Sequence, residues 1–112
     1  MDILTRMEEL LLLVVWKLED EAYGLAIRNR LNVLTGSDHS VGAVYTPLKR
    51  MARRGFLETW EGDPTEERGG RSKRFYKLTP KGVHALRQVR SLTESAWSDL
   101  PAQVFGLTLR TS

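Results

Sequence analysis

Cysteine is absent from the 112 residues. That excludes a disulfide framework and any thiol-ligated zinc or iron–sulfur centre, so stability must come from packing, and it fits a reducing compartment. Histidine is nearly as scarce. His39 and His84 have no second ligand at metal-binding spacing, and no metal site is expected. Long apolar runs are missing as well: the longest, Leu10–Trp16, has seven residues, against roughly 20 needed to cross a bilayer. Glu8 and Glu9 precede that run and Lys17 follows it, the wrong flanks for a secretory signal. The expectation is a cytoplasmic protein with no membrane partner. No nucleophile motif with a nearby base is present, nor the glycine and lysine spacing of a nucleotide-binding loop. No enzyme, catalytic residue or cofactor is therefore expected.

What the chain does have is cations, unevenly placed. The net charge of +3 divides into −3 over residues 1–48, +5 over 49–81 and +1 over 82–112. A basic middle third on a nearly balanced chain suits a polyanion-binding module, although charge alone fits a solvated basic surface equally well.

Apolar periodicity supplies the elements, and the length allows one compact domain. Ile3, Met7, Leu10, Leu11, Val14, Val15 and Leu18 predict a helix over 3–18. Leu12, Leu13 and Trp16 fill the side of it that should be polar, so a second face calls for cover, from a small core or from a partner subunit. Glu19, Asp20 and Glu21 lead into a second helix over roughly 22–35, where carboxylates suit the positive end of the helix dipole. Leu25, Ile27, Leu31 and Leu34 form its expected buried face, and Gly36 its stop.

Ser40 can cap a third helix, over 41–54. Val41, Val44, Leu48 and Met51 share one side of it, Pro47 predicts a bend, and Gly55 ends it. Its wet face carries Lys49, Arg50, Arg53 and Arg54 and no acid. Phe56–Glu61 and Lys73–Leu78 read as a hairpin with a long tip, and Trp60 is its expected anchor. Thr79–Pro80 is a cap followed by a first-turn proline, opening a helix over 80–98. Val83, Leu86, Val89, Leu92, Ala96 and Trp97 form its stripe. The preceding region cannot cover this stripe and the first helix together, and two chains exchanging these helices would bury both. A homodimer is the expectation, with residues 101–112 as a loosely docked tail.

The fold class is therefore mainly α with a small β-hairpin: a winged helix-turn-helix whose N- and C-terminal helices form a dimer interface. Residues 1–79 make the DNA-binding domain and 80–112 the dimerisation helix and tail. The four cations of the third helix would face double-stranded DNA. At this point the sequence resembles the PadR-like transcriptional regulators, in "YGLAIRNRL" (23–31), "VGAVYTPLKRMARRGFLETW" (41–60) and "KRFYKLTPKG" (73–82). Two positions depart from the common pattern. Thr46 separates Tyr45 from Pro47, and Ala52 stands where a glutamate is frequent.

The resemblance implies a dimeric, sequence-specific transcription factor, a repressor on a pseudo-palindromic operator. A protein-interaction winged helix without specific DNA binding is the alternative, and pairing of Arg50 and Arg53 with the protein's own carboxylates would favour it. In the recognition helix the candidates are Tyr45, Thr46, Lys49, Arg50 and Arg53; Tyr45 can reach phosphate or pack beneath the helix. Lysine and arginine can neutralise phosphate or, when bidentate, read guanine. Arg54 is a backbone contact or none. In the wing the candidates are Arg68, Gly70, Arg71, Ser72 and Lys73, because bare backbone approaches DNA closely and flanking cations find phosphates; the alternative is a mobile loop. Trp16 and Trp97 sit on the two expected dimer helices. They pack there or, as in multidrug-responsive relatives, bind a small aromatic effector.

Overall fold

The computed structural model describes residues 3–62, 73–98 and 100. Four α-helices and one antiparallel hairpin follow in the order α1 (Arg6–Leu18), α2 (Gly24–Thr35), α3 (Val41–Arg53), β1 (Leu57–Glu61), β2 (Arg74–Leu78) and α4 (Pro80–Ser98). This is the winged helix-turn-helix expected from the sequence. The tail 101–112 lies outside the described residues.

α1 begins at Arg6, three residues later than its periodicity suggests, because Thr5 caps it. The Thr5 hydroxyl accepts from the Glu8 amide at 3.1 Å, and Glu8 accepts from the Thr5 amide at 2.8 Å. This reciprocal pair satisfies two otherwise orphaned donors. Ile3 is left outside the helix and exposed, while Leu4 is buried in its place. Leu12, expected on the surplus face, is fully buried; Leu13 and Trp16 are exposed. The surplus apolar face is narrower than the sequence suggests, but it exists.

Glu19–Glu21 form a short 3-10 turn of their own, and the first turn of α2 carries no acid. The carboxylates therefore do not cap α2 as expected. Ile27 and Leu31 are buried, but Leu25 and Leu34 are exposed. Leu25 lies about 160° around the helix from Ile27, given 100° per residue. Leu34 points the right way but sits in the last turn. Gly36 ends α2 at φ +70°. The turn to α3 is held by side chains: the Asn32 Oδ1 accepts from the His39 amide at 2.8 Å, and Arg28 Nε donates to the His39 carbonyl at 2.9 Å.

α3 starts at the Ser40 cap, whose Oγ accepts from the Ala43 amide at 3.1 Å. It continues without a break through Pro47, which is itself buried beside Val44, Leu48 and Met51. Val41, one turn earlier, is exposed instead. At the far end Gly55 adopts φ +83°, its amide donates to Ala52 and the Phe56 amide donates to Met51. These two bonds close the helix with a left-handed cap.

β1 and β2 pair in register from Leu57 with Leu78 to Glu61 with Arg74. Strand alternation puts Leu57, Tyr76 and Leu78 in the core. On the other face Trp60 stacks on its cross-strand partner Phe75, with ring centroids 5.8 Å apart, and so anchors the hairpin as expected. Residues 22–23 add a fragment of a third strand, since the Tyr76 amide donates to the Ala22 carbonyl.

Thr79 caps α4, accepting from the Gly82 amide at 3.0 Å while its hydroxyl donates to the Gly55 carbonyl at 2.6 Å. Gly82 is required there, because a Cβ would collide with the Phe56 carbonyl. The first half of α4 joins the core through Ala85 and Val89, whereas Leu92, Ala96 and Trp97 in its second half are exposed.

Candidate nucleic-acid interface

α3 presents its polar side as a ridge. With Val44, Leu48 and Met51 facing inward, Gly42, Thr46, Lys49 and Arg53 recur four, seven and eleven residues along and lie opposite the core. All four are exposed. Thr46 donates its hydroxyl to the Gly42 carbonyl at 3.3 Å, within this ridge. Arg53 forms no ion pair among the described residues.

Arg50 and Tyr45 flank the ridge on opposite edges. Arg50 is turned toward α1, where its Nε lies 3.6 Å from the Glu8 carboxylate. Arg54 Nη1 donates to the same carboxylate oxygen at 3.1 Å, and its guanidinium also lies 4.7 Å from the Phe56 ring centroid. Glu8 is only 3% exposed. Local sequence patterns do not reveal this cluster, because its members lie more than forty residues apart in the chain. One signal does exist: Glu8 falls on the stripe of Leu4, Leu11, Leu12 and Val15, and a carboxylate on a buried stripe demands a cationic partner.

Tyr45 reaches across the other edge. Its phenol approaches the buried Tyr76 hydroxyl without reaching hydrogen-bonding geometry, and that hydroxyl has no partner among the described residues. Burial pushes the pKa of the Tyr76 hydroxyl up to about 12, the nearby Tyr45 phenol adds to the shift, and Arg74 opposes it. Tyr45 is nevertheless partly exposed, with the Lys49 ammonium 6.0 Å from its ring centroid. Packing and surface contact therefore coexist in the one side chain.

Lys73 is the described member of the wing set. Its ammonium lies 4.2 Å from the Tyr23 ring centroid, at the base of the hairpin. Lys73 and Tyr45 line the same groove, about 480 Å³, between the starts of α2 and α3 and the hairpin. Arg68, Gly70, Arg71 and Ser72 lie outside the described residues. Arg74, next to Lys73 in the chain, belongs to β2 and pairs with Glu61 at 3.2 Å and with Thr59 Oγ1 at 3.0 Å.

The tryptophans sit apart from this surface. Trp16 is 63% exposed and borders two grooves, one toward Trp60 and one between α1 and α4; Trp97, 50% exposed on the last turn of α4, lines neither. Among the described residues no helix is long and apolar enough to cross a membrane, and no cluster of three or more potential metal ligands occurs.

A cationic helix ridge flanked by a hairpin is a DNA-reading arrangement, and the family model for the "Transcriptional regulator PadR-like family" matches residues 11–88. The chain belongs to the PadR-like family. Its members are transcriptional regulators rather than enzymes, and the match spans both the α3 ridge and the start of α4. Solved structures agree with the PadR-like fold. The hsRosR-S1 complex shares 28% identity at a TM-score of 0.68, covering 87% of this chain and 79% of that one. A PadR-like transcription factor from Bacteroides fragilis shares 25% at 0.61, covering 91% and 92%. A PadR family regulator from Eggerthella lenta shares 22% at 0.64, covering 92% and 83%. No curated protein sequence matches. Family and fold together make this chain a DNA-binding regulator.

Proposed function

We propose that the protein is a dimeric, sequence-specific repressor that occupies a pseudo-palindromic operator. The observation that carries this reading is the exposed ridge of Thr46, Lys49 and Arg53 on α3, which has the length and charge to enter a major groove. Arg50 and Tyr45 border the ridge, and Lys73 stands at the base of the wing. Arg68, Gly70, Arg71 and Ser72 complete the proposed wing contact. Residues 1–79 bind DNA, and 80–112 supply the dimer helix.

The dimer is supported by a second exposed surface. Leu13 and Trp16 on α1, with Leu92 and Trp97 on α4, are large apolar side chains left uncovered by one copy of the chain. Two copies paired through these helices would bring two α3 ridges to successive major grooves, about 34–36 Å apart. A flat aromatic effector held among Trp16 and Trp97 at that contact would release the repressor by favouring a dimer with the wrong spacing.

One observation favours the protein-interaction alternative: Arg50 does pair with the protein's own Glu8. Arg53, the other cation that this alternative requires to be paired, forms no ion pair among the described residues. Fluorescence anisotropy against duplexes tiled around the protein's own coding region, from low to physiological salt, tests the choice. The regulator binds one tile tightly and loses affinity steeply with salt. Weak and equal binding to every tile overturns it.

A further inference from the structure

Glu8 presents a buried charge whose two oxygens have separate duties. Oε1 accepts from the Thr5 amide at 2.8 Å and so locks the side chain in the cap of α1. Oε2 faces α3, 3.1 Å from Arg54 Nη1 and 3.6 Å from Arg50 Nε. One carboxylate thus faces two guanidiniums. Buried ion clusters of this kind are seldom an efficient way to stabilise a fold, since apolar residues of similar volume often serve as well. Their better-attested effect is to fix one arrangement among several.

Arg54 takes the hydrogen bond to Oε2, and Arg50 is drawn toward the same oxygen as an ion pair. Arg50 lies about 60° around α3 from Arg53, given 100° per residue, and so belongs to the border of the ridge rather than its crest. Its side chain is half exposed. Nε is the Arg50 nitrogen nearest Glu8, at 3.6 Å an ion pair longer than a hydrogen bond, and among the described residues Arg50 has no second acidic partner. The two terminal nitrogens, the fork that can engage guanine or phosphate bidentately, are left for other partners while the stem is drawn toward α1. An unanchored arginine at this border would instead swing to whichever phosphate lay nearest, and such contacts carry no sequence information.

We propose that Glu8 is a specificity-determining positioning residue: from α1 its charge draws the Arg50 stem inward through the Nε side, biases the terminal fork toward the edge of the reading ridge, and suppresses its use as an indiscriminate phosphate clamp. This inference rests on the DNA-binding reading of α3.

The test uses the full chain, a duplex enriched by the wild-type protein from a random-sequence library, and a scrambled duplex of the same composition. Glu8→Gln keeps an acceptor for the Thr5 amide, since glutamine also serves in this cap, but removes the charge. The expected result has three parts. The scrambled duplex binds more tightly, the salt dependence steepens by about one released counterion, and the ratio of selected to scrambled affinity falls about tenfold, the size of one forfeited base discrimination. In an Arg50→Gln background the same Glu8→Gln change should leave the ratio unaltered, because Glu8 acts on base discrimination through Arg50, while the slope still responds through the Arg54 it also releases. A folded Glu8→Gln protein with a wild-type ratio overturns the proposal, as does a fall in ratio that persists in the Arg50→Gln background. Should Glu8→Gln fail to fold by circular dichroism, Glu8→Asp decides, because it keeps the charge and an acceptor but draws back by one methylene from the Arg50 guanidinium. A fall in ratio that disappears in the Arg50→Gln background supports the proposal, and a wild-type ratio overturns it. If the wild-type protein enriches no duplex, the DNA-binding reading itself has failed and this inference falls with it.

Discussion

α3 and α4 both bury one face and leave another uncovered, and the chemistry of what is left over differs. On α3 the side opposite the core carries Gly42, Thr46, Lys49 and Arg53, with Arg50 and Tyr45 at its borders and Val41 exposed at its start. On the second half of α4 the exposed apolar residues are Leu92, Ala96 and Trp97. Water tolerates the first set at little cost, whereas the second set gains when covered, by about 1.5–3 kcal/mol for each fully buried large side chain. A polyanion therefore suits α3, and another apolar surface suits α4. The two helices adjoin the same hairpin, yet one turns a cationic face outward and the other an apolar one.

The largest expected effect comes from breaking the apolar face. Leu92→Glu should leave helical content unchanged by circular dichroism, convert the protein to monomer in sedimentation, and weaken operator binding by about 100-fold or more, because the two half-sites are then no longer bound as one linked event. A dimer that persists would show that α4 is not the contact. The reverse experiment is smaller in effect. Lys49→Ala/Arg53→Ala should keep the oligomeric state, cost about tenfold or more in operator affinity, and make the salt dependence shallower by about 0.9 for each phosphate no longer neutralised. Unchanged anisotropy curves would remove the ridge from the interface.

The smallest effect concerns the core beneath both faces. Tyr76 is buried with its pKa pushed from 10.0 up to about 12, chiefly by burial. The folded state therefore favours the neutral phenol. Its contribution to stability is full below about pH 10, where the unfolded chain also keeps the proton, and is lost as pH rises toward 12. Tyr76→Phe should abolish that alkaline loss, on the order of 1–3 kcal/mol by linkage. At neutral pH it should cost little, since the hydroxyl has no hydrogen-bond partner to lose. Thermal unfolding of both proteins between pH 8 and about 11.5, read as a difference, checks the sign. A parallel decline in the two would show that other groups govern it.

Local chemistry explains what is legible in the sequence. The Ser40 cap, the Gly55 stop and the Thr79–Pro80 start depend on residues within one helical turn, and all three stand where expected, with α4 running from Pro80 to Ser98. The core positions of α3 follow from spacing alone, apart from Val41. What spacing does not supply is packing between distant segments. Leu25 and Leu34 are apolar in sequence but nothing in the described fold covers them. His39, for which the sequence suggests no partner, ties the α2–α3 turn to Asn32 through backbone and ring. The pairing of Glu8 with Arg50 and Arg54 joins the first helix to the third, and only the folded chain brings them within reach.

Thr79 and Lys81 give the corner between α3 and α4 its stiffness. Thr79 donates to the carbonyl of Gly55, Lys81 donates to that of Arg54 at 2.8 Å, and Gly82 sits directly against the backbone of Phe56. There is no slack loop at this joint. α4 is consequently a boom rooted at the base of the reading helix, about 28 Å long at 1.5 Å per residue. A turn of about 10° at its root would sweep the tip through about 5 Å by the same geometry. In the proposed dimer, the gauge between the two α3 helices would thus be set by an angle at a corner rather than by the length of any linker.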